Sequence, residues 1–521
     1  MRRFNVTGLC TPEEDYMVNI SGKIEQIKKM VDDRCYFTIN QARQYGKTTV
    51  LNELKKRLES EYICIKISFE GLSGENFESS GAFCKVFIKN ITRALRFTDV
   101  SKEYIGEWTS GDFTDFDLLS DHITDMCEGK KVALMIDEVD KASNNEVFLH
   151  FLSMLRKKFL ARKEGSDYTF HSVILAGVYD IKNIKLKMID EGLYIPVETE
   201  NKLYNSPWNI AINFNVDMSF NPAEIASMLT AYENDCITGM NITEISGEIY
   251  KYTSGYPFLV SRICQCIDET LDKNWTSKGV QRAVNIILKE SNTLFDDLVK
   301  NIETYPDLKK FLYDLLFIGE IKTFNIDNST ISLGCMFGYF KDDSDKTKIS
   351  NKIFEMRIYN YFISENENSG EIKIKQPKRS EIVENGRLNM EMLLRKFAQH
   401  YTEIYKLKDT EFLERHGGLL FLTYLKPFIN GHGFCHIESQ VNDFKIDITV
   451  DYGSEQFVIE LKLWDGQKQH EKAQSQLANY LSLKNANKGY LLTFDFRLEK
   501  NKERKIEWIE AGGKKILDVI V

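Results

Sequence analysis

Residues 36–49 read YFTINQARQYGKTT, and their reading decides the first fold of the chain. Cys35 to Ile39 is short, apolar and aromatic and is bounded by polar residues, which predicts a buried strand. After Thr49, the apolar residues Val50, Leu51, Leu54 and Leu58 recur on one helical face. GKTT therefore lies between a strand and a helix, the setting a phosphate-binding loop requires. Gly46 lets backbone amides approach phosphates closely. Lys47 reaches the β- and γ-phosphates as a point charge, the Thr48 hydroxyl is placed to ligate Mg2+, and the helix N-terminus adds its dipole. The glycine that opens such a loop is missing, because Gln41 stands in its place.

A second element supports the first. KVALMIDEVD, at 131–140, has a continuous apolar run from Val132 to Ile136, the pattern of a central parallel strand. Asp137 and Glu138 follow at its C-terminal end, where open α/β sheets meet their ligands. Asp137 is expected to hold Mg2+ through water and Glu138 to polarise the attacking water. YICIKISF at 62–69 and SVILAG at 172–177 add two strands. Strands alternating with helices imply a parallel sheet and an α/β class.

FNVTGLCTPEEDYMV, YFTINQARQYGKTT, LMIDEVD, VILAGVYDIKN and SPWNIAINF together resemble the bacterial and archaeal AAA-ATPase-like family. The likeness covers about the first 270 residues. In that family the loop commonly reads R-Q-Y/F-G-K-T/S without the opening glycine. The resemblance implies a P-loop ATPase sheet of the AAA type and ATP as the ligand, bound by Gln44, Tyr45, Gly46, Lys47, Thr48, Thr49 and Asp137. It places Tyr179, Asp180 or Asn183 toward the γ-phosphate, with a plain turn at the strand end as the alternative. Tyr16 is placed near the adenine or is an ordinary packed tyrosine. In YTSGYPFLVSRIC, Gly255 and Pro257 shape a lid helix, and Arg262 reaches the nucleotide or stays at the surface. Arg156 and Arg162 act in trans in a homo-oligomer or form a solvated basic face.

Helical periodicity fills 220–300. In NPAEIASMLTAYE, Asn221 caps, Pro222 fits the first helical position and Glu224 enters the first turn. Residues 304–365 mix helices with strand-like pieces such as IKTFNI and end in NKIFEMRIYNYFIS, an arrangement compatible with a winged helix. The polar stretch at 364–387 reads as a domain boundary. The expected domains are an ATPase core at 1–215, a helical lid at 216–300, a winged-helix-like module at 301–370, a linker at 371–389 and a last domain at 390–521.

That last domain turns on FKIDITVDYGSEQFVIELKLW, at 444–464, which alternates as two strands joined by a polar turn. Asp447 lies within the first strand, and Glu460 and Lys462 within the second. Charges inside apolar strands are costly unless paired or metal-bound. The hairpin can point Asp447, Glu460 and Lys462 to one face, where two carboxylates hold Mg2+ and Lys462 positions water or the scissile phosphate. An edge hairpin with exposed acids and Lys462 in a salt bridge is the structural alternative.

The spacing resembles the PD-(D/E)xK nuclease core, with KID in place of PD. FLTYLKPFINGHGFCHIESQ, FKIDITV, VIELKLW, QLANYL and GYLLTFD match the mixed α/β, restriction-endonuclease-like domain that often ends proteins of the ATPase family. The resemblance adds Glu438 to the core and brings Gln476 and Tyr480, four apart on one helix, to the site. His432 and His436 read as a packed or solvated pair.

Bulk properties agree. The 521 residues, 43% hydrophobic and 28% charged, suffice for roughly three or four domains. The net charge of −9 does not favour nonspecific nucleic-acid or membrane binding, though it leaves room for a local basic groove. No apolar run approaches the about 18 residues of a membrane span, and MRRFNVTGLC lacks a signal-peptide core. Ten cysteines scattered singly, with no CxxC, suit reduced thiols in a cytosolic protein. The expectation is a cytoplasmic ATP-hydrolysing protein whose nucleotide cycle controls a Mg2+-dependent nuclease-like domain acting on nucleic acid, DNA before RNA. Its rival is a nucleotide-switched scaffold whose nuclease fold only binds.

Overall fold

Among the described residues, Tyr36–Asn40 (β1) lies in a four-stranded parallel sheet with Ile63–Ser68 (β2), Val132–Asp137 (β3) and Ser172–Gly177 (β4), in the order β1-β4-β3-β2. Tyr36 pairs with Val173 and Asn40 with Gly177, while Ser68 pairs with Asp137. Every residue of β3 and β4 is buried. That is why these strands read as unbroken apolar runs rather than alternating ones.

Helices cover both faces of this sheet. On one, Val50, Leu51, Leu54 and Leu58 of the helix Lys47–Leu58 pack with Ile24, Ile27 and Val31 of Ser21–Asp32. On the other, Ser80–Leu95, Phe116–Cys127 and Glu146–Glu164 bury an aromatic-rich layer that includes Phe83, Phe87, Phe148 and Phe151. The lid follows as the helices Pro222–Cys236, Ile242–Thr253, Pro257–Glu269 and Ser277–Ile287. Asn221 caps its start as the sequence implied, and Glu224 of the first turn closes a capping box: Asn221 Oδ1 accepts Glu224 N at 2.9 Å, and Glu224 Oε2 accepts Asn221 N at 2.9 Å. Lys23 Nζ also donates to Glu224 Oε2 at 2.9 Å, tying lid to core.

The computed structural model describes residues 2–142, 146–178, 211–212, 214, 216–318, 322–369, 377–405, 410–429, 433–440, 445–453, 455–495 and 505–521. Tyr179, Asp180, Asn183 and His432 lie outside the described residues, and the side chains of His436, Glu438 and Asp447 do as well. By its internal contacts the chain forms two units, Met1–Ile287 with Gly334–Tyr339, and Leu288–Leu333 with Phe340–Val521.

The second unit begins with the helices Thr293–Thr304 and Pro306–Tyr313. Two short hairpins follow: Phe340–Asp342 (β5) with Thr347–Ile349 (β6), and Val383–Glu384 (β7) with Arg387–Leu388 (β8). Between the hairpins runs the helix Lys352–Ser369, where the sequence placed the closing helix of the middle module. IKTFNI, expected as strand-like, contributes an isolated bridge between Thr323 and Lys346.

The helices Met390–Tyr405 and Thr410–Ile429 lead into a six-stranded mixed sheet of Gly433–Gln440 (β9), Lys445–Tyr452 (β10), Glu455–Leu463 (β11), Lys488–Phe494 (β12), Lys505–Ala511 (β13) and Lys514–Ile520 (β14). Its order is β13-β14-β12-β11-β10-β9. The first three strands form an antiparallel meander, and the helix Gln467–Leu483 crosses over to the parallel strand β12. That helix buries Ala473, Leu477 and Leu481 against Val458, Leu491 and Ile516.

No disulfide is found among the described residues. No helix among them is long and apolar enough to cross a membrane.

Candidate functional site

The loop after β1 explains its missing glycine. Positive φ falls at Gln44 (+56°) and Gly46 (+76°) and not at Gln41. Gln41 instead prolongs the sheet, its N–H donating to Gly177 O at 3.2 Å. A side chain at position 41 therefore meets no backbone strain, and the left-handed turn is made three residues later.

Gly46 is the N-cap of the helix Lys47–Leu58, so the amides of its first turn open toward the loop. Lys47 is 8% exposed, and its Nζ donates to Gln41 O at 2.9 Å and Ala42 O at 3.0 Å. Burial pushes the Lys47 ammonium below the usual lysine range, opposed by the negative field of Glu138, Asp140 and Asp137. An arriving polyphosphate would add to that field and favour the charged form. Thr48 Oγ1 donates to Asp137 Oδ2 at 2.8 Å, and Asp137 Oδ1 accepts Glu138 N at 3.0 Å. A hydroxyl and a buried carboxylate meeting at a helix N-terminus are the oxygen donors a Mg2+–nucleotide needs, so the residues fit that group.

Glu138 adopts φ +54°, a left-handed conformation costing on the order of 1–3 kcal/mol that concentrates at functional sites. The turn it makes passes close to β4. A Cβ at Gly177 would stand 2.9 Å from Asp140 Oδ1, and Asp140 accepts Val178 N at 3.3 Å. Lys66 of β2 lies on the other side, its Nζ donating to Thr48 O at 3.3 Å. Neither Asp140 nor Lys66 was singled out from sequence. Lys66 sits inside an ordinary alternating strand, and only the register of β2 on β3 brings it to the loop.

A cavity of about 150 Å3 opens beside the loop. Tyr45, Gly46 and Thr49 line it from the loop, Tyr16 from the N-terminal segment and Phe258 from the lid. Tyr16 is both lining and packed: it lies 5.0 Å from Phe4 and donates to Asp235 Oδ2 at 3.1 Å. Arg2 donates to the same Asp235 oxygen at 2.8 Å, and Cys10 N donates to Thr49 Oγ1 at 3.3 Å. The N-terminal segment thus joins loop and lid. Tyr45 meets Tyr256 edge to face at 4.6 Å, and Tyr256 Oη donates to Arg43 O at 2.5 Å.

Gly255 takes φ +75°, and a Cβ there would stand 2.0 Å from Phe220 O, so the turn before Pro257 admits glycine alone. Arg262 donates to Gln265 Oε1 at 2.9 Å within its own helix and does not line the cavity. Arg162 is a clamp, giving hydrogen bonds to Phe170 O at 2.6 Å, His171 O at 2.8 Å and Arg34 O at 2.9 Å. Arg156 stays half-buried on the same helix.

In the second unit, the register sets three acids in one row. Glu438 of β9 is opposite Asp447 of β10, which is opposite Glu460 of β11. Cross-strand partners share a face, so the backbone brings these positions together as the alternation of the sequence implied. Glu460 is 0% exposed, and Lys462 Nζ lies 3.9 Å from its Oε1. A buried carboxylate with a lysine beside it, and two further positions in register that carry acids, are the residue types a hard cation such as Mg2+ would call for. Among the described side chains no three His, Cys, Asp or Glu residues gather as a metal site.

The helix Gln467–Leu483 presents residues that sequence reasoning passed over. His470 Nε2 lies 2.8 Å from the fully buried Asp518 Oδ2, Gln474 Nε2 donates to that oxygen at 3.0 Å, and Thr493 Oγ1 is 3.4 Å from His470 Nδ1. Thr493 is the register partner of Lys462. Gln476 and Tyr480 are half-buried, Tyr480 against the core beneath the helix, and Gln474 is the glutamine that hydrogen-bonds into the sheet. The spacing of four between His470 and Gln474 was visible, but their partner lies more than 40 residues away.

Two family models match the chain. A family model described as AAA-like domain matches residues 14–355, and one described as PD-(D/E)XK nuclease superfamily matches 434–506. No similar sequence is found among curated proteins. Among solved structures, a Walker-type ATPase of Pyrococcus abyssi is similar at 11% identity, with 68% of this chain and 99% of that chain covered and a TM-score of 0.46. The ORC2 protein of Aeropyrum pernix, in ADPNP–ADP complexes, is similar at 10% identity, with 69% and 98% covered and a TM-score of 0.35. The Holliday junction branch migration motor RuvB of Thermotoga maritima is similar at 11% identity, with 65% and 93% covered and a TM-score of 0.32.

Proposed function

The chain belongs to the AAA-like family and carries a C-terminal PD-(D/E)XK nuclease domain; from that premise we propose that it binds and hydrolyses ATP, and that this cycle controls Mg2+-dependent cleavage of nucleic acid, DNA before RNA. The observation that carries the reading is the Thr48–Asp137 hydrogen bond of 2.8 Å, with Lys47 and Glu138 beside it. It sets a hydroxyl, a carboxylate, a cation and a base around one helix N-terminus.

In the ATPase site, Lys47 neutralises the phosphates and Thr48 and Asp137 hold the metal. Glu138 accepts a proton from the attacking water, and Gly46 keeps the amides clear for phosphate oxygens. In the second site, Asp447 and Glu460 supply metal ligands, and Lys462 holds the water or the scissile phosphate beside them. Mg2+, when bound there, supplies charge stabilisation and a more acidic water.

The test is incubation of the purified protein with plasmid, single-stranded DNA and RNA, with Mg2+ or Mn2+, with and without ATP, beside a Lys462→Ala control. Cleavage that needs the metal and vanishes in the control is expected. A preparation that hydrolyses ATP and cuts none of these substrates would replace this reading with that of a nucleotide-switched scaffold.

A further inference from the structure

Gly334–Tyr339 packs within the first unit although it lies far beyond the lid in sequence. Gly338 has φ +76°, and a Cβ on it would stand 2.8 Å from Ala42 Cβ and 3.6 Å from Tyr256 Cε2. Bare backbone therefore presses on the first half of the phosphate-binding loop. Ala42 is 4% exposed, and its carbonyl is one of the two that accept Lys47 Nζ, at 3.0 Å. The next residue, Arg43, accepts the Tyr256 hydroxyl at 2.5 Å. The segment Gln41–Arg43 is thus held by its own lysine, by the lid and by the glycine at 338.

Phosphate competes for that lysine. When Lys47 turns to a polyphosphate, the carbonyls of Gln41 and Ala42 lose their donor. A buried acceptor stripped of its partner costs about 1–3 kcal/mol, so the segment shifts to recover one. The Ala42 methyl has van der Waals room only because position 338 has no side chain, and packed contacts of this kind transmit small displacements. From Tyr339 the chain continues directly into β5.

We propose that Gly334–Tyr339 is a sensor strap: it reads phosphate occupancy of the loop through the Gly338–Ala42 contact and passes it along the chain to Phe340 and beyond. This rests on the reading that the loop binds ATP. It supplies the route by which the nucleotide cycle regulates the rest of the protein.

Hydrogen–deuterium exchange on the full chain tests it, without nucleotide and with Mg2+ and a slowly hydrolysed ATP analogue. In the wild type, exchange is expected to change by roughly twofold or more both over 41–49 and over 334–339. Lys47→Ala should remove both changes. Gly338→Ala, which strains the backbone and crowds Ala42, should keep the change over 41–49 and lose that over 334–339. A wild-type response over 41–49 with none over 334–339 overturns the proposal, and this comparison needs no variant to fold. An unaltered strap response in Gly338→Ala also overturns it. No response over 41–49 brings down the ATP reading, and the strap with it.

Discussion

Thr48 and Asp137, 89 residues apart, share a hydrogen bond of 2.8 Å at the head of the helix that follows β1. The bond joins the end of one parallel strand to the start of the helix after another, and it holds an otherwise costly buried carboxylate in place. Thr48→Ala is expected to leave the fold intact at a cost of about 1–3 kcal/mol and to lower Mg2+-dependent phosphate release by roughly a hundredfold. Steady-state release assays beside a thermal melt separate the two effects.

Glu138 predicts a different phenotype. Glu138→Gln keeps the left-handed turn and removes the proton acceptor, so ATP should still bind while turnover falls by roughly a hundredfold to a thousandfold. Equilibrium binding of a fluorescent ATP analogue and single-turnover hydrolysis together check this. Equal loss of both would assign Glu138 to binding.

In the mixed sheet, Lys462→Met keeps the aliphatic stem and deletes the charge 3.9 Å from the buried Glu460. Cleavage should be lost, and stability should fall by about 2–4 kcal/mol as the carboxylate loses its cation. Adding Glu460→Gln should restore stability without restoring cleavage. Thermal melts and plasmid nicking read the two arms.

Gly255→Ala would set a methyl carbon 2.0 Å from Phe220 O at φ +75°. Destabilisation of at least about 3 kcal/mol is expected, with ATP affinity falling because the lid helix begins two residues later. Denaturant unfolding measures the first and nucleotide titration the second.

His171 gives the pH prediction. Burial, reinforced by Arg34, Arg162 and Lys131, brings its imidazole down to about 4. The unfolded chain protonates near 6.5, so between those values it binds a proton the folded chain refuses. Stability is present in full above about pH 6.5 and is lost as pH falls toward 4. His171→Gln should flatten this part of the profile by about 2 kcal/mol between pH 7 and 4.5, read as the difference between unfolding curves of variant and wild type.

Much of this was written locally in the sequence. The buried strands stood out because both faces are covered, and the lid helix announced itself through Asn221, Pro222 and Glu224. The opposition of Asp447 to Glu460 followed from alternation and a short polar turn. What stayed hidden depends on distant pairing. Arg2 finds Asp235 across 233 positions, and His470 finds Asp518 across 48. Gln474 hydrogen-bonds to Asp518 because the buried face of that helix runs through His470, Leu477, Ala478 and Leu481, which a four-residue spacing does not fix. Arg162 read as a finger acting in trans or as part of a solvated basic face, yet three backbone carbonyls converge on it.

The strand order of the first sheet bears on synthesis. β1 has β4 as its neighbour, and β4 is made about 140 residues later. At roughly 5–20 residues per second, Tyr36, Phe37 and Ile39 wait on the order of ten seconds or more without their strand partner while the ribosome completes β4. Through that interval the nascent chain presents an apolar strand with open edges, a ready target for chaperones. Slowing or stalling translation between Asn40 and Ser172 should therefore lower the yield of active protein, even though no residue of the mature fold has changed.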